Sequence, residues 1–277
     1  MIQILLATYN GEKYLANLLD SLVAQTYQYW ELLIHDDGSV DKTFDVLLSY
    51  QERYSDRIKI LDDGIVMGNA RDNFAHLLTI STADYVMFCD QDDVWLPEKI
   101  EKTFHKMQEL EHCHGSLPIL VHTDLMVVDE SLVCIASSMF DYQGLNKSTK
   151  GLLQVLAKNS VTGCTMMVNR QAILVSTPIL PSAIMHDWWM AANVVKVGGV
   201  VEFVDEALIH YRQHSVNSVG AKKQSFIGFF GIVFRHIFDR KMRNRTWLQA
   251  KSIDPTLNYF IFYREKFSIT LKNLIKK

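Results

Sequence analysis

The sequence predicts an α/β fold: a mostly parallel, Rossmann-like central sheet flanked by helices, followed by a basic helical extension. Three observations carry this. Short apolar runs alternate with segments of helical periodicity, at spacings that require parallel pairing and right-handed crossovers. The runs are apolar on both faces, as strands buried in a parallel sheet are. Three of them end in polar or acidic turns: Thr8-Tyr9-Asn10, Asp36-Asp37 and Asp90-Gln91-Asp92-Asp93.

Ile2 to Ala7 reads as the first strand. Turn chemistry at Thr8-Tyr9-Asn10-Gly11 follows, then a helix from Glu12 to Gln25 with Leu15, Leu18, Leu19 and Leu22 on one face. Glu31 to His35 is a second strand. Ser39 or Asp41 is placed to cap the next helix, with Phe44, Leu47 and Leu48 as its expected buried face. Arg57 to Leu61 is a third strand, and Gly68-Asn69-Ala70-Arg71 opens a helix carrying Phe74, Leu77 and Leu78. Tyr85 to Cys89 is the fourth strand. Pro97 suits the first turn of the helix that runs to Glu111. Ile119 to Val128 reads as strand, Leu152 to Ala157 as a short helix, Ser160 to Val168 as a loop entering a strand, and Val200 to Ile209 as a strand.

Bulk composition narrows the class. A chain of 277 residues, 48% hydrophobic and 21% charged, is ordinary for a globular protein with room for one large domain and an appendage. Its four cysteines form no Cys-x-x-Cys pair, which disfavours a zinc knuckle or disulfide framework and fits a reducing compartment. The sequence has neither a signal-peptide pattern at its start nor an apolar run long enough for a transmembrane helix, so a cytoplasmic location is expected. Gly-x-Gly-x-x-Gly and P-loop signatures are missing, against dinucleotide dehydrogenases and P-loop enzymes.

Three acids cannot remain in the core at the end of the Tyr85 strand without partners. They belong just past the strand's carboxyl end, where open α/β sheets hold ligands. Capping explains one acid per turn, but this chain places two and three. A nucleotide fits the rim: Asp36 or Asp37 for a base N–H, Asp90 for ribose hydroxyls, and Asp92 for a divalent cation on a diphosphate. Arg71 is a candidate for the phosphates or an exposed first-turn residue.

In the second half, Gly163 permits close backbone approach. Met185-His186-Asp187-Trp188-Trp189 combines a carboxylate at a helix start with two adjacent tryptophans, which either wall a sugar-stacking pocket or anchor the core. Arg212 and His214, after the last strand, suit anionic oxygens or a metal edge. Adjacent His112, Cys113 and His114 cannot share one helix face and read as surface.

As an ordered set, Ala7-Thr8-Tyr9-Asn10-Gly11, Asp36-Asp37-Gly38-Ser39, Gly68-Asn69-Ala70-Arg71, Asp90-Gln91-Asp92-Asp93 and His186-Asp187-Trp188 resemble the motifs of family 2 glycosyltransferases of the GT-A fold. Within that family the chain is most similar to bacterial rhamnosyltransferases of O-antigen and capsule assembly. The resemblance implies an inverting transfer from a nucleotide sugar, with dTDP-rhamnose or a UDP-sugar as donor. It places Thr8, Tyr9, Asn10 and Asp37 at the base pocket, Arg71 near the base or diphosphate, and Asp90 and Gln91 at the donor. Asp92 would hold Mg²⁺ or Mn²⁺ with His214 within reach, and Asp187 would be the catalytic base. Gly163, Trp188 and Trp189 are the candidates for the acceptor pocket. The family writes an acid before the base, where this chain has His186.

The charge is split. Residues 221–277 hold 13 Lys/Arg and 3 Asp/Glu, a net of +10, leaving −13 on the other 220 residues. Ser225 to Phe238 is apolar and aromatic beside Arg235, Arg240, Lys241, Arg243 and Arg245. This pattern suits an interfacial helix on anionic lipid. The expectation is a catalytic domain at 1–220 and a membrane-facing extension at 221–277, peripheral at the inner face of the cell membrane. Its acceptor would be a glycan on a polyprenyl diphosphate. The alternatives for the extension are a helical hairpin packed on the catalytic domain and a homodimer contact. The acidic body disfavours nucleic acid as a partner. A nucleotidyltransferase and a non-catalytic glycan- or membrane-binding protein are the competing functions. The first lacks its Gly-rich loop here, and the intact acids Asp90, Asp92 and Asp187 argue against the second.

Overall fold

The computed structural model describes residues 1–148, 151–214 and 240–275. Its strands are β1 (Ile2–Thr8), β2 (Trp30–Asp36), β3 (Ile58–Leu61), β4 (Tyr85–Asp90), β5 (Val94–Trp95), β6 (Ile119–Val128), β7 (Cys134–Ala136), β8 (Met167–Asn169) and β9 (Val200–Arg212). They form one sheet in the order β3-β2-β1-β4-β8-β6-β9-β5, with β7 on β6. β1 to β4 pair in parallel and β6 pairs in parallel with β9; β8 runs antiparallel to β4 and β6, and β5 antiparallel to β9. The helices are α1 (Leu15–Val23), α2 (Thr43–Arg53), α3 (Ala70–Ile80), α4 (Lys99–His114), α5 (Met139–Gln143), α6 (Leu152–Ala157), α7 (Arg170–Ser176), α8 (His186–Lys196), α9 (Arg240–Ile253) and α10 (Tyr259–Ile275).

The two-faced burial of the first strand builds two cores. Ile4 and Leu6 face one with Leu15, Leu18, Met87 and Ile100. Leu5 faces the other with Phe74, Phe88, Met190 and Phe262. Alternation along a single strand thus feeds both sides of the sheet, and helices cover each.

Register aligns the three polar and acidic turns. Thr8 pairs with Asp36 and Ala7 with Asp90, so the ends of β1, β2 and β4 lie level on one rim. The loops beyond them are tied together. Asn10 N–H donates to Ser39 Oγ (2.8 Å), Val40 N–H to Asn10 Oδ1 (2.9 Å) and Gly11 N–H to Thr43 Oγ1 (2.7 Å).

These ties explain where the local expectations shift. Glu12 is not helical: its N–H donates to Asp41 and its carboxylate accepts from Lys42 N–H, so α1 begins at Leu15. Asp41 accepts from Thr43 N–H at the start of α2, whereas Ser39 bonds Asp36 and Asn10 instead of capping. The buried stripe of α2 is Thr43, Leu47 and Tyr50; Phe44 and Leu48 are exposed, because this helix covers an edge strand along one narrow line. Asn69 caps α3 by accepting from Asp72 N–H (3.0 Å).

The described part of the C-terminal region is a helical pair. Ala250 and Ile253 of α9 and Phe262 and Ile269 of α10 join the second core with α6 and α8. The expected interfacial segment Ser225–Phe238 and Arg235 lie outside the described residues. Among the described residues no helix is long and apolar enough to cross a membrane.

Candidate active site

The β4 strand delivers Asp90, Asp92 and Asp93 to the rim. The loop after them turns into β5, which pairs antiparallel with β9 through Val94–His210 and Trp95–Ile209. This pairing carries the end of β9 back over the acids. His214 Nε2 lies 2.7 Å from Asp92 Oδ2, and the His214 ring stands 4.9 Å from that of Tyr14. Arg212 does not point at an open rim. It is buried, with Nε donating to Asp92 O (2.9 Å), Nη1 to Glu130 O (2.6 Å) and its guanidinium 4.5 Å over the Tyr14 ring. It braces the acidic loop.

Charges crowd here. Burial pushes the Asp90 carboxyl up to about 7, helped by the negative charges of Asp92 and Asp187. Asp93 is fully buried and pushed well up by that burial and by the charges of Asp92 and Asp90, with Oδ2 left without a hydrogen-bond partner. Cys164 closes the group: ligand atoms of Asp90, Asp93 and Cys164 lie within 4.8 Å of one another. Buried Lys99, its Nζ 3.9 Å over the Trp95 ring, is pushed down to about 8 by burial. Asp93, Cys164 and Lys99 were not singled out from sequence. Asp93 stood in the acidic run, but nothing local marks Cys164 or Lys99.

Asp187 sits in the first turn of α8, after the cap residue Met185. Burial raises its carboxyl to about 6, partly offset by the N–H groups of Trp188 and Gly163. His186 turns away into the core between Phe74 (4.4 Å) and Phe88 (4.9 Å), with neither ring nitrogen hydrogen-bonded. Burial lowers its pKa to about 3, so it stays neutral. A Cβ on Gly163 would fall 2.7 Å from His186 Nε2, so only glycine fits there. The close approach expected of Gly163 is to this ring.

Of the remaining sequence candidates, Tyr9 exposes its side chain, while the others are engaged with the protein. Asp37 is buried, and its Oδ1 accepts from Met67 and Gly68 N–H. Thr8 is buried, its hydroxyl spent on Asp36 Oδ1 (2.7 Å). Gln91 clamps the Tyr9 backbone with both amide atoms (2.8 and 2.9 Å). Asn10 holds the 39–40 turn. Arg71 forks onto Asp72 and donates to Pro181 O (3.0 Å) and Ala183 O (2.9 Å). These four shape the loops, because each polar group finds a partner on a neighbouring turn. The tryptophans also bond backbone: Trp189 Nε1 to Ser176 O (2.8 Å) and Trp188 Nε1 to Val155 O (2.6 Å). Trp189 is a core anchor and no pocket wall, and Trp188 is only half-buried.

The donor set fits a divalent cation. Asp92 carboxylate beside His214 imidazole, amid acids whose mutual repulsion a cation relieves, suits Mg²⁺ or Mn²⁺.

Residues 3–172 match the family model described as glycosyl transferase family 2. The chain is 32% identical over 129 residues to the putative glycosyltransferase EpsE of Bacillus subtilis, an alignment covering 47% of this chain and 44% of that relative, so the chain spans less than half of it. It is 27% identical over 223 residues to the dTDP-rhamnosyl transferase RfbG of Shigella flexneri, covering 78% of this chain and 74% of that protein. Among solved structures, S. aureus TarS 1–349 in complex with UDP-GlcNAc superposes with a TM-score of 0.61 at 19% identity, over 96% of this chain and 72% of TarS. The mannosyltransferase PcManGT of Pyrobaculum calidifontis, in complex with GDP-Man and Mn²⁺, does so at 0.60 and 11% identity, over 98% and 79%. At these identities the structural likeness speaks for a GT-A-like fold.

Proposed function

The chain belongs to glycosyl transferase family 2, and from that premise we propose that it is an inverting, divalent-cation-dependent enzyme of bacterial cell-surface polysaccharide synthesis. It moves a sugar from a nucleotide diphosphate to a hydroxyl of a lipid-linked glycan. The observation that carries this reading is the convergence of Asp90, Asp92 and His214 on one rim with Asp187, whose charge is felt at Asp90.

Tyr9 and Asp37 bind the base, Asp90 the ribose, and Asp92 with His214 the cation. When bound, that cation offsets charge on the departing diphosphate, a contribution of several kcal/mol. Asp187 takes the proton of the acceptor hydroxyl as its oxygen bonds the anomeric carbon and the bond to diphosphate breaks. A carboxyl raised to about 6 is mostly ionised at neutral pH yet more basic than a solvated one, which suits a general base. Gly163 and Trp188 N–H groups hold it in place. Gly163 lies beside the acceptor position.

The likeness to RfbG supports dTDP-rhamnose as the first donor to try, with UDP-sugars next. The catalytic unit spans 1–220, and 221–277, whose described helices pack on its second core, attaches it peripherally to the inner membrane face, where the acceptor lipid lies. Exposed Phe260, Arg264 and Phe267 support that reading: at i, i+4 and i+7 of α10 they share one face.

The test is a thermal-shift panel of nucleotide diphosphates and nucleotide sugars, with and without Mn²⁺. A Mn²⁺-dependent rise with dTDP or UDP compounds is expected. A folded sample that responds to none of them would overturn the donor-site assignment.

A further inference from the structure

A second cluster lies beside the β2 end of the acidic rim, one residue before Asp36. His35 on β2, Asp63 in the loop after β3 and His76 on α3 bring three ligand atoms within 4.8 Å of one another. His76 Nε2 is 2.6 Å from Asp63 Oδ2, and His35 Nε2 is 3.4 Å from Asp63 Oδ1. We propose that His35 Nε2, the Asp63 carboxylate and His76 Nε2 form a binding site for a borderline transition-metal ion of the Zn²⁺ class, separate from the Asp92–His214 pair.

The argument rests on where protons can be. Asn73 Nδ2 donates to His35 O (3.3 Å), which fixes the amide so that Oδ1 faces His35 Nδ1 at 2.9 Å. A carbonyl oxygen only accepts, so Nδ1 carries the hydrogen. A neutral His35 ring then leaves its bare Nε2 3.4 Å from a carboxylate oxygen, two acceptors side by side. Something positive belongs between them. Metal-ligating histidines are likewise oriented by donating the far N–H to an oxygen acceptor. Asp63 is held in place independently, its Oδ1 accepting from Ile65 N–H (3.0 Å).

Size agrees. Zn–N and Zn–O bonds of about 2.0–2.2 Å put neighbouring tetrahedral ligands roughly 3.3 Å apart, close to the His35–Asp63 separation. His76 lies partly exposed on its helix, so its ring has room to open from 2.6 Å. Two histidines and one carboxylate leave a fourth position for water, and this nitrogen-rich set prefers Zn²⁺ to the Mg²⁺ of oxygen sites. An ion here would pin the loop that Asp37 also holds through Met67 and Gly68.

The test uses chelator-stripped, tag-free full-length protein titrated with Co²⁺ as a spectroscopic probe of Zn²⁺ sites. Wild type is expected to give a tetrahedral visible band at one equivalent, displaced by Zn²⁺ and retained in Asp92→Asn. Replacing an outer-shell partner typically weakens affinity by about 10–100-fold, so loss of a ligand in His76→Gln should weaken it by more than about 100-fold. His76→Cys should add a thiolate-to-cobalt charge-transfer band, a readout that does not depend on how well the Gln variant folds. A wild type without the band, a band unchanged in His76→Gln, or no charge-transfer band in His76→Cys would overturn the site. In that case the charge between His35 and Asp63 is a proton.

Discussion

His214 Nε2 rests 2.7 Å from Asp92 Oδ2, across 122 residues of sequence. The contact exists because β5 and β9 pair antiparallel just beyond the acidic turn. Asp92→Ala is expected to abolish Mn²⁺-dependent donor binding, and His214→Ala to weaken it at least tenfold, both measured by calorimetry. Unchanged donor affinity with Mn²⁺ in Asp92→Ala would remove the pair from the cation site.

Asp187→Asn should retain donor affinity while kcat falls by about 10²–10⁴, the usual contribution of a general base. In wild type, activity should rise with pH through about 6 and level off, the limb set by the raised carboxyl. The stability sign is opposite. A carboxyl at 3.8 when unfolded and about 6 when folded contributes stability that is full below 3.8 and lost as pH rises through 6. Above pH 6 the Asn variant should therefore melt no lower than wild type. Equal loss of donor binding and turnover, or a lower Tm there, would point to a structural cap.

Gly163→Ala would set a methyl 2.7 Å from His186 Nε2. The ring is packed between Phe74 and Phe88 and has little room to retreat, so the loop carrying Asp187's N–H partner must move. A lower Tm and a kcat drop exceeding about tenfold are expected, since misplacing reacting groups by an ångström can cost about 100-fold. Wild-type kcat in this variant would show the contact to be soft.

Gly11→Ala would place its Cβ 2.4 Å from Gln91 Oε1 and force the clamp off the Tyr9 backbone. Donor KM should rise, and the double variant Gly11→Ala with Gln91→Ala should recover Tm relative to Gly11→Ala alone. Additive Tm losses would mean the two residues act independently.

Full-length protein is expected to float with anionic vesicles, and Phe260→Asp with Phe267→Asp to lose most of that binding with donor affinity intact. Flotation unaffected by the pair would move the attachment off this face of α10.

How much was legible beforehand depended on how local the signal was. The strands from β1 to β4 and the rim they share follow from apolar runs that stop at acids. Burial cannot continue through an unpaired carboxylate, so the turn declares itself. Asp90 and Asp92 are placed on the rim this way, whereas Asp187 is marked by a helix start beside two tryptophans. The internal partners of Thr8, Asn10, Arg71 and Gln91 were not legible, because a side chain's partner is set by which turn folds next to it. Trp189 went to the core for the same reason.

The sequence by itself determined the α/β class, the acidic rim and the basic end, all encoded in periodicity and in the cost of burying charge. Only the tertiary structure decided what else meets across it: Gly163 with His186, Cys164 with Asp93, and His35 with Asp63 and His76. These contacts are set by strand register and crossover geometry, which act through space and leave no spacing in the chain to read.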